Sequence, residues 1–236
     1  WVNDFNAQRL ADTYLSKPWN TLLPIQQYTE SANDDNPYEG VYRGETKPVF
    51  PHNLPGMFST TDYEVLRSTP FGNSIVKDIA LAALKAENLG KGSYTDFIAI
   101  SFSSTDYVGH KMGPQSVELE DTYLRLDRDI AEIITALEKS YGKDGFLLFL
   151  TADHAAAYVP SQLMDLKMNA GYFSSKVFSD SLKKYLVKTY NDTSLVSKII
   201  NDQVYLNHSL IKQKNINLKG LAEDIVSLAL TFKGVA

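Results

Sequence analysis

The stretch from Asp96 to His154, DFIAISFSSTDYVGHKMGPQSVELEDTYLRLDRDIAEIITALEKSYGKDGFLLFLTADH, constrains the fold of this 236-residue chain more than any other. DFIAISF (96–102) and FLLFLT (146–151) are apolar runs with β-branched and aromatic residues. They are too short for helices and are bounded by polar or glycine-bearing segments, so both read as buried strands. Between them Leu119, Tyr123, Leu126, Ile130, Ile133, Ile134 and Leu137 recur at three- and four-residue steps, which puts them on one face of a helix about twenty residues long. Strand, amphipathic helix and strand make a parallel crossover unit, right-handed in nearly all cases. The expected fold class is therefore α/β.

That topology locates the chemistry. In open parallel sheets, ligands sit in the crevice outside the carboxyl ends of the strands. Asp106 and His110 follow the first strand, and Asp153 and His154 follow the second, so a polar loop after each strand delivers an Asp and a His to one crevice. Two carboxylates and two imidazoles suit a divalent metal, zinc foremost, and the chain has no cysteine to compete. Three intervening residues, Gly109 among them, let the chain turn so that Asp106 and His110 reach one ion. The adjacent Asp153-His154 pair suits a turn better than a regular strand, where neighbours point to opposite faces. The competing reading is a set of ordinary surface carboxylates beside a helix-capping loop.

SSTDYVGHKMGP, the helix start ELEDTYLRLD, and FLLFLTADHAAA resemble the metal-binding segments of the alkaline phosphatase superfamily. They are most similar to the phosphate-irrepressible alkaline phosphatases and the neighbouring nucleotide pyrophosphatase/phosphodiesterase branch. WVNDFNAQRLADTYLSKPW and STPFGNSIVKDIALAAL extend the resemblance over most of the chain. It implies part of an alkaline phosphatase-like core of parallel strands and flanking helices, in which two zinc ions share the substrate phosphate. One ion would be held by Asp106 and His110 with a distant downstream His, the other by Asp153 and His154 with an upstream Asp and a nucleophilic Thr or Ser. The regions that carry those further groups in the family do not fall in this chain, so the catalytic nucleophile is not expected here.

The resemblance thus implies a fragment of a two-zinc phosphoric ester hydrolase, inactive by itself. A phosphomonoesterase ranks ahead of a phosphodiesterase or nucleotide pyrophosphatase. It would act on small phosphate esters through a phospho-Thr or phospho-Ser intermediate, in the periplasm or otherwise outside the cytoplasm. A reading from a different class is a non-catalytic metal-binding or interaction module that keeps the fold. Two departures stand out. Ala155 occupies a place where these enzymes more often have Gly, which accepts backbone angles that Ala does not. His208, in QVYLNHSLI, is the one His after the pair, but its strand-like surroundings read as those of a surface or packing residue.

The chain divides into a partial core with long covering loops at 1–159 and a smaller α+β inserted lobe at 160–236. Val2 to Ser16 reads as a short helix closed before Pro18. Residues 17–70 hold seven of the nine prolines and polar clusters such as TESANDDNPYEG. A loop this long in a compact domain is usually functional or wraps a surface, here as cover near the crevice. His52, between Pro51 and Asn53, is expected to be exposed. Ser59, Thr60 and Thr61 lack a strand-to-helix elbow and read as turn or cap residues, not nucleophiles. Ser74 to Asn88 reads as a packing helix, with Asn73 as its N-cap and Gly90 past its end. Beyond Pro160 the pattern gives a helix or turn at 160–169, a helix at 173–190 with a solvated Lys183-Lys184 pair, a strand at 203–207, an amphipathic helix at 219–232, and a helical tail at Ala236.

The formal net charge of -5 and a pI of about 5.4 give no basic footprint for duplex nucleic acid or an anionic membrane. No apolar run reaches the ~18 residues of a membrane span. Without cysteine there are neither disulfides nor thiolate metal sites.

Overall fold

Helices carry nearly all the regular structure. In the computed structural model, which describes residues 1–232 and 235, the chain separates into two units, Trp1–Val159 and Pro160–Ala236. The tail expected at Ala236 lies outside the described residues. The first unit contains α1 (Val2–Ala7), α2 (Leu10–Leu15), α3 (Glu64–Arg67), α4 (Phe71–Ala86), α5 (Ser104–Met112) and α6 (Val117–Tyr141). The second contains α7 (Pro160–Asp165), α8 (Ser175–Tyr190), β1 (Val196–Ile200), β2 (Gln203–Leu206), α9 (His208–Gln213) and α10 (Leu218–Ala229).

The first two helices replace the single one expected before Pro18, because Arg9 between them is left-handed at φ 49°. Helix α6 starts where Ser116 caps it, the hydroxyl accepting from the Leu119 N–H, and stops at Gly142, whose φ of 76° a side chain would resist. Both α4 and α5 pack on it.

The two core strands are where structure and sequence part. Residues 96–102 and 146–151 carry no regular structure and make no ladder; among the described residues the paired strands are β1 and β2 alone, with isolated bridges at Trp19/His52 and Ser59/Asp62. Their apolar side chains are exposed instead of buried, Phe97 by 78%, Leu147 by 90%, Phe149 by 70% and Leu150 by 71%. A strand buries its faces only when neighbouring strands and covering helices flank it, and the described residues supply none to these two segments.

The buried stripe of α6 also differs from the apolar one that the spacing suggests. Tyr123 is exposed, whereas Glu118, Asp121, Thr122 and Asp129 are buried beside Val117, Leu119 and Ile133. The polar stripe receives residues 17–70, which are irregular as expected but firmly anchored. Trp19 Nε1 donates to Asp121 Oδ2 at 2.7 Å, the Leu22 N–H to Asp121 Oδ1 at 2.6 Å, and the Ser31 N–H to Glu120 Oε2 at 2.9 Å. Leu15, Trp19, Tyr42, Leu54 and Met57 then close a core over Val108, Met112 and Leu119.

His52, expected at the surface, is wholly buried in that core. Trp19, Tyr42 and Phe50 surround its ring at centroid distances of 5.3, 4.8 and 4.8 Å. Its two nitrogens meet Glu45 Oε2 at 2.9 Å and Glu118 Oε1 at 3.0 Å. The prolines and acidic clusters around it suggested solvent, yet two carboxylates and an aromatic box make burial tolerable.

In the second unit, Phe178, Leu182, Leu186, Leu195, Ile211, Leu221 and Ile225 form a separate core. The hairpin of β1 and β2 turns on Asn201 and Asp202, both left-handed at φ 49° and 58°, as a two-residue turn of matching twist requires. His208 does not lie in a strand-like run. It is the exposed first residue of α9, behind Asn207, whose side chain accepts from the Leu210 N–H. No helix among the described residues is long and apolar enough to cross a membrane.

Candidate metal centre

The geometry of the candidate site begins in α4. Asn73 is not an N-cap of its own helix, which already starts at Phe71; it sits buried in the first turn and caps its neighbour. Its Oδ1 accepts from the Ser104 N–H at 3.1 Å, a donor that the start of α5 would otherwise leave unpaired, and its Nδ2 donates to Thr105 Oγ1 at 3.0 Å. Gly72 permits the approach, since a Cβ there would fall on Ser104 Oγ and within 2.9 Å of the Leu66 carbonyl.

Asp106 and His110 therefore occupy a helix instead of the polar loop expected after residue 102. Asp106 lies in the first turn of α5 and His110 in the last, one turn apart on the same face, with His110 Nε2 3.5 Å from Asp106 Oδ1. Each end of the helix dipole favours the residue placed there, carboxylate at the amino end and imidazole at the carboxyl end. Gly109 is helical, and a Cβ on it would meet Leu119 at 3.7 Å, an ordinary contact. Gly109→Ala is accordingly expected to stabilise the chain by up to about 1 kcal/mol in urea unfolding, where a turn requiring glycine would make it destabilising.

Asp153 and His154 lie in a turn. The His154 N–H donates to Asp153 Oδ1 at 3.1 Å, and His154 Nδ1 donates to the Ala155 carbonyl at 3.1 Å. That bond, then the charges of Asp153 and Asp106, raise the imidazole pKa above its ordinary value. Ala155 has no positive φ, so the turn does not draw on a glycine's freedom. His154 Nε2 is 3.8 Å from Asp106 Oδ1 and 3.7 Å from Asp153 Oδ2.

All four residues named from the sequence are thus drawn together, with the Asp106 carboxylate between the Nε2 atoms of His110 and His154. Their side chains are well exposed to solvent. Among the described residues no group of three or more His, Asp or Glu side chains is arranged to enclose a metal ion. The donor chemistry nonetheless fits zinc: imidazole nitrogens and carboxylate oxygens with no thiolate. The His154 Nδ1–H bond to a backbone carbonyl leaves Nε2 as the nitrogen that would face a metal, as in many histidine metal sites. Sequence reasoning missed Asn73 and Gly72 as the groups that set the start of α5; a long-range side-chain cap leaves no local signal.

A family model described as type I phosphodiesterase / nucleotide pyrophosphatase matches residues 4–227. The chain belongs to this family. Among its relatives, alkaline phosphatase PhoV of Synechococcus elongatus is 43% identical over all of this chain and 42% of its own length. Alkaline phosphatase PafA of Elizabethkingia meningoseptica is 37% identical over 96% of this chain and 41% of its own. A Myroides odoratus protein named calcium-transporting ATPase is 40% identical over all of this chain and 43% of its own. The crystal structure of wild-type PafA superposes with a TM-score of 0.89 at 36% identity, covering 97% of this chain and 44% of that one. The family's alkaline phosphatase-like α/β fold is therefore this chain's fold, and the chain spans about two fifths of the curated relatives it matches.

Proposed function

We propose that this chain is part of a two-zinc phosphoric ester hydrolase of the alkaline phosphatase type, acting on small phosphate esters, with phosphomonoesters ahead of diesters. The observation that carries the reading is the Asp106 carboxylate held between His110 Nε2 and His154 Nε2, 3.5 and 3.8 Å away. Asp106 and His110 would hold one zinc, Asp153 and His154 the other. Bound there, a zinc pair supplies charge to offset that developing on the equatorial, attacking and leaving oxygens during phosphoryl transfer. This chain's own residues orient the donors: Asn73 sets the start of α5, and the Ala155 carbonyl holds the His154 ring, whose Nε2 lies 3.8 Å from Asp106 Oδ1. The nucleophilic Thr or Ser that would carry the covalent phosphoryl group, and the remaining ligands, are assigned to parts of the family fold outside these residues. Residues 160–236 would be a lobe inserted into the core, and the setting extracytoplasmic.

The phosphodiesterase alternative draws on the matched family's description. A non-catalytic metal-binding or interaction module would keep the fold without the hydrolysis. Calorimetric zinc titration of the purified chain tests the four ligands. Saturable binding weakened at least tenfold by either Asp106→Ala or Asp153→Ala is expected. A folded chain that takes up no zinc, or binds equally well in both variants, would overturn the assignment of the four residues. Assays of a relative-length protein on phosphate monoesters against diesters then rank the two activities.

A further inference from the structure

Asp106 and His110 have a third neighbour on α5 whose side chain the four candidate ligands leave unused. At about 100° per residue, the order around the helix is Asp106, His110, Tyr107, separated by roughly 40° and 60°. His154 comes up against Asp106 at one end of that row, and Tyr107 stands at the other end, one turn from His110. Tyr107 is unlike the packed tyrosines of the same unit. Tyr14, Tyr28, Tyr42 and Tyr141 donate their hydroxyls to Asp78, Asp121, the Ser68 carbonyl and the Leu89 carbonyl. Tyr107 is 39% exposed, and its hydroxyl has no hydrogen-bond partner among the described residues. Its one anchor is Arg67 at the end of α3, whose guanidinium carbon lies 4.8 Å from the ring centroid and which also pairs with Glu64. Backbone packing places that arginine. A Cβ on Gly72 would lie 3.3 Å from Arg67 Cα and would fall on Ser104 Oγ, so the glycine that lets α4 meet the start of α5 also seats the end of α3 beside it.

We propose that Tyr107, braced by Arg67, is a specificity-determining residue of the hydrolase proposed above, and that its ring receives a planar aromatic group of the phosphate ester. The inference rests on that reading. There, Asp106, His110, Asp153 and His154 serve the phosphate, and the organic group of the ester lies beside them and not among them. At the end of the row away from His154, the side chain offered to solvent is an aromatic ring, a surface on which a planar apolar group gains by stacking. The cation–π attraction of Arg67 holds the ring before a ligand arrives, so less freedom is lost on contact.

The test uses a zinc-loaded protein of the relatives' length that contains this chain. Calorimetry measures its binding of phenylphosphonate, methylphosphonate and inorganic phosphate in wild type, Tyr107→Ala, Tyr107→Phe and Arg67→Ala. These ligands hold no ester bond, so the readout is affinity and not turnover. Wild type is expected to bind phenylphosphonate more tightly than methylphosphonate. Tyr107→Ala should weaken the phenyl ligand about three- to tenfold, the worth of one aromatic pair, and leave methylphosphonate, inorganic phosphate and the zinc stoichiometry unchanged. Tyr107→Phe should keep the preference, because the ring and not the hydroxyl carries it, and Arg67→Ala should lose part of it. Both side chains are exposed, so the variants should fold as wild type does. A Tyr107→Ala protein that binds zinc and inorganic phosphate normally, but weakens both phosphonates equally or neither, would overturn this inference alone. A wild type that takes up no zinc or binds no inorganic phosphate would overturn the hydrolase reading, and this inference with it.

Discussion

Asp121→Ala is expected to destabilise the unit of residues 1–159 by about 3–5 kcal/mol, the range for removing one partner from a buried charge pair. Asp121 is wholly buried on α6 and accepts four donors. Oδ2 takes Trp19 Nε1 at 2.7 Å and Arg125 Nε at 2.6 Å; Oδ1 takes the Leu22 N–H at 2.6 Å and the Tyr28 hydroxyl. Three of these donors lie between residues 19 and 28, so one carboxylate holds the front of the covering segment on the helix. Alanine leaves an indole N–H and a hydroxyl without their acceptor, each costing roughly 1–3 kcal/mol if buried, and Arg125 without its carboxylate, while the Leu22 N–H keeps the Tyr28 oxygen at 2.9 Å. These losses overlap and do not sum. Urea unfolding followed through Trp19 fluorescence measures the change. Asp121→Asn, which keeps an acceptor oxygen, should recover part of it, and it should lower the Tyr28 pKa, which burial first and then Asp121 push up to about 12. A loss under about 1 kcal/mol in the alanine variant would mean that the apolar contacts of Leu15, Trp19 and Leu54 anchor the segment unaided.

What could be read from the sequence follows the range of the interactions that decide it. Helices α4, α6, α8 and α10 were legible because apolar spacing acts within a few residues; the caps Ser116, Ser174 and Asn217, though equally local, were not read. The segment that became α5, STDYVGHKM, has a glycine, two β-branched residues and no cap of its own, and it is helical because Asn73 meets its first turn from 31 residues away. His52 failed for the same reason, its partner Glu118 being 66 residues on. The hairpin strand β1 was hidden by Ser197 and Lys198 in its middle, although Asn201-Asp202 was a usable turn signal. Each Asp–His pair is close because it is local, and the approach of His154 to Asp106, at 3.8 Å, was expected from the two apolar runs that precede them. Residues 96–102 and 146–151 read as buried strands and are exposed and unpaired, since periodicity reports what a side chain prefers and not whether a neighbouring strand is there to meet it.

His52→Gln is expected to be the second severe substitution, and its cost should depend on pH. Each ring nitrogen of His52 lies within hydrogen-bond distance of a carboxylate, Glu45 on one side and Glu118 on the other. Ionised carboxylates only accept, so both nitrogens must carry a proton and the ring is an imidazolium. Burial opposes that charge, but the hydrogen bonds to Glu118 and Glu45, then their charges, outweigh it and raise the pKa above the ordinary histidine value. A group whose folded pKa exceeds its unfolded value contributes stability that is fully present below the unfolded pKa and is lost as pH rises through the folded one. The loss in His52→Gln should therefore be greatest near pH 6, about 3–5 kcal/mol as for any broken buried ion pair, and should shrink as pH rises past the folded pKa. Glu39, Glu118 and Asp34 also have raised pKa values, so wild-type stability itself falls with rising pH. Subtracting variant from wild type in urea titrations across pH 6 to 9 isolates the His52 contribution and its coupling to Glu45 and Glu118. A difference that is flat across that range would mean a neutral imidazole, with the proton residing on a glutamate instead.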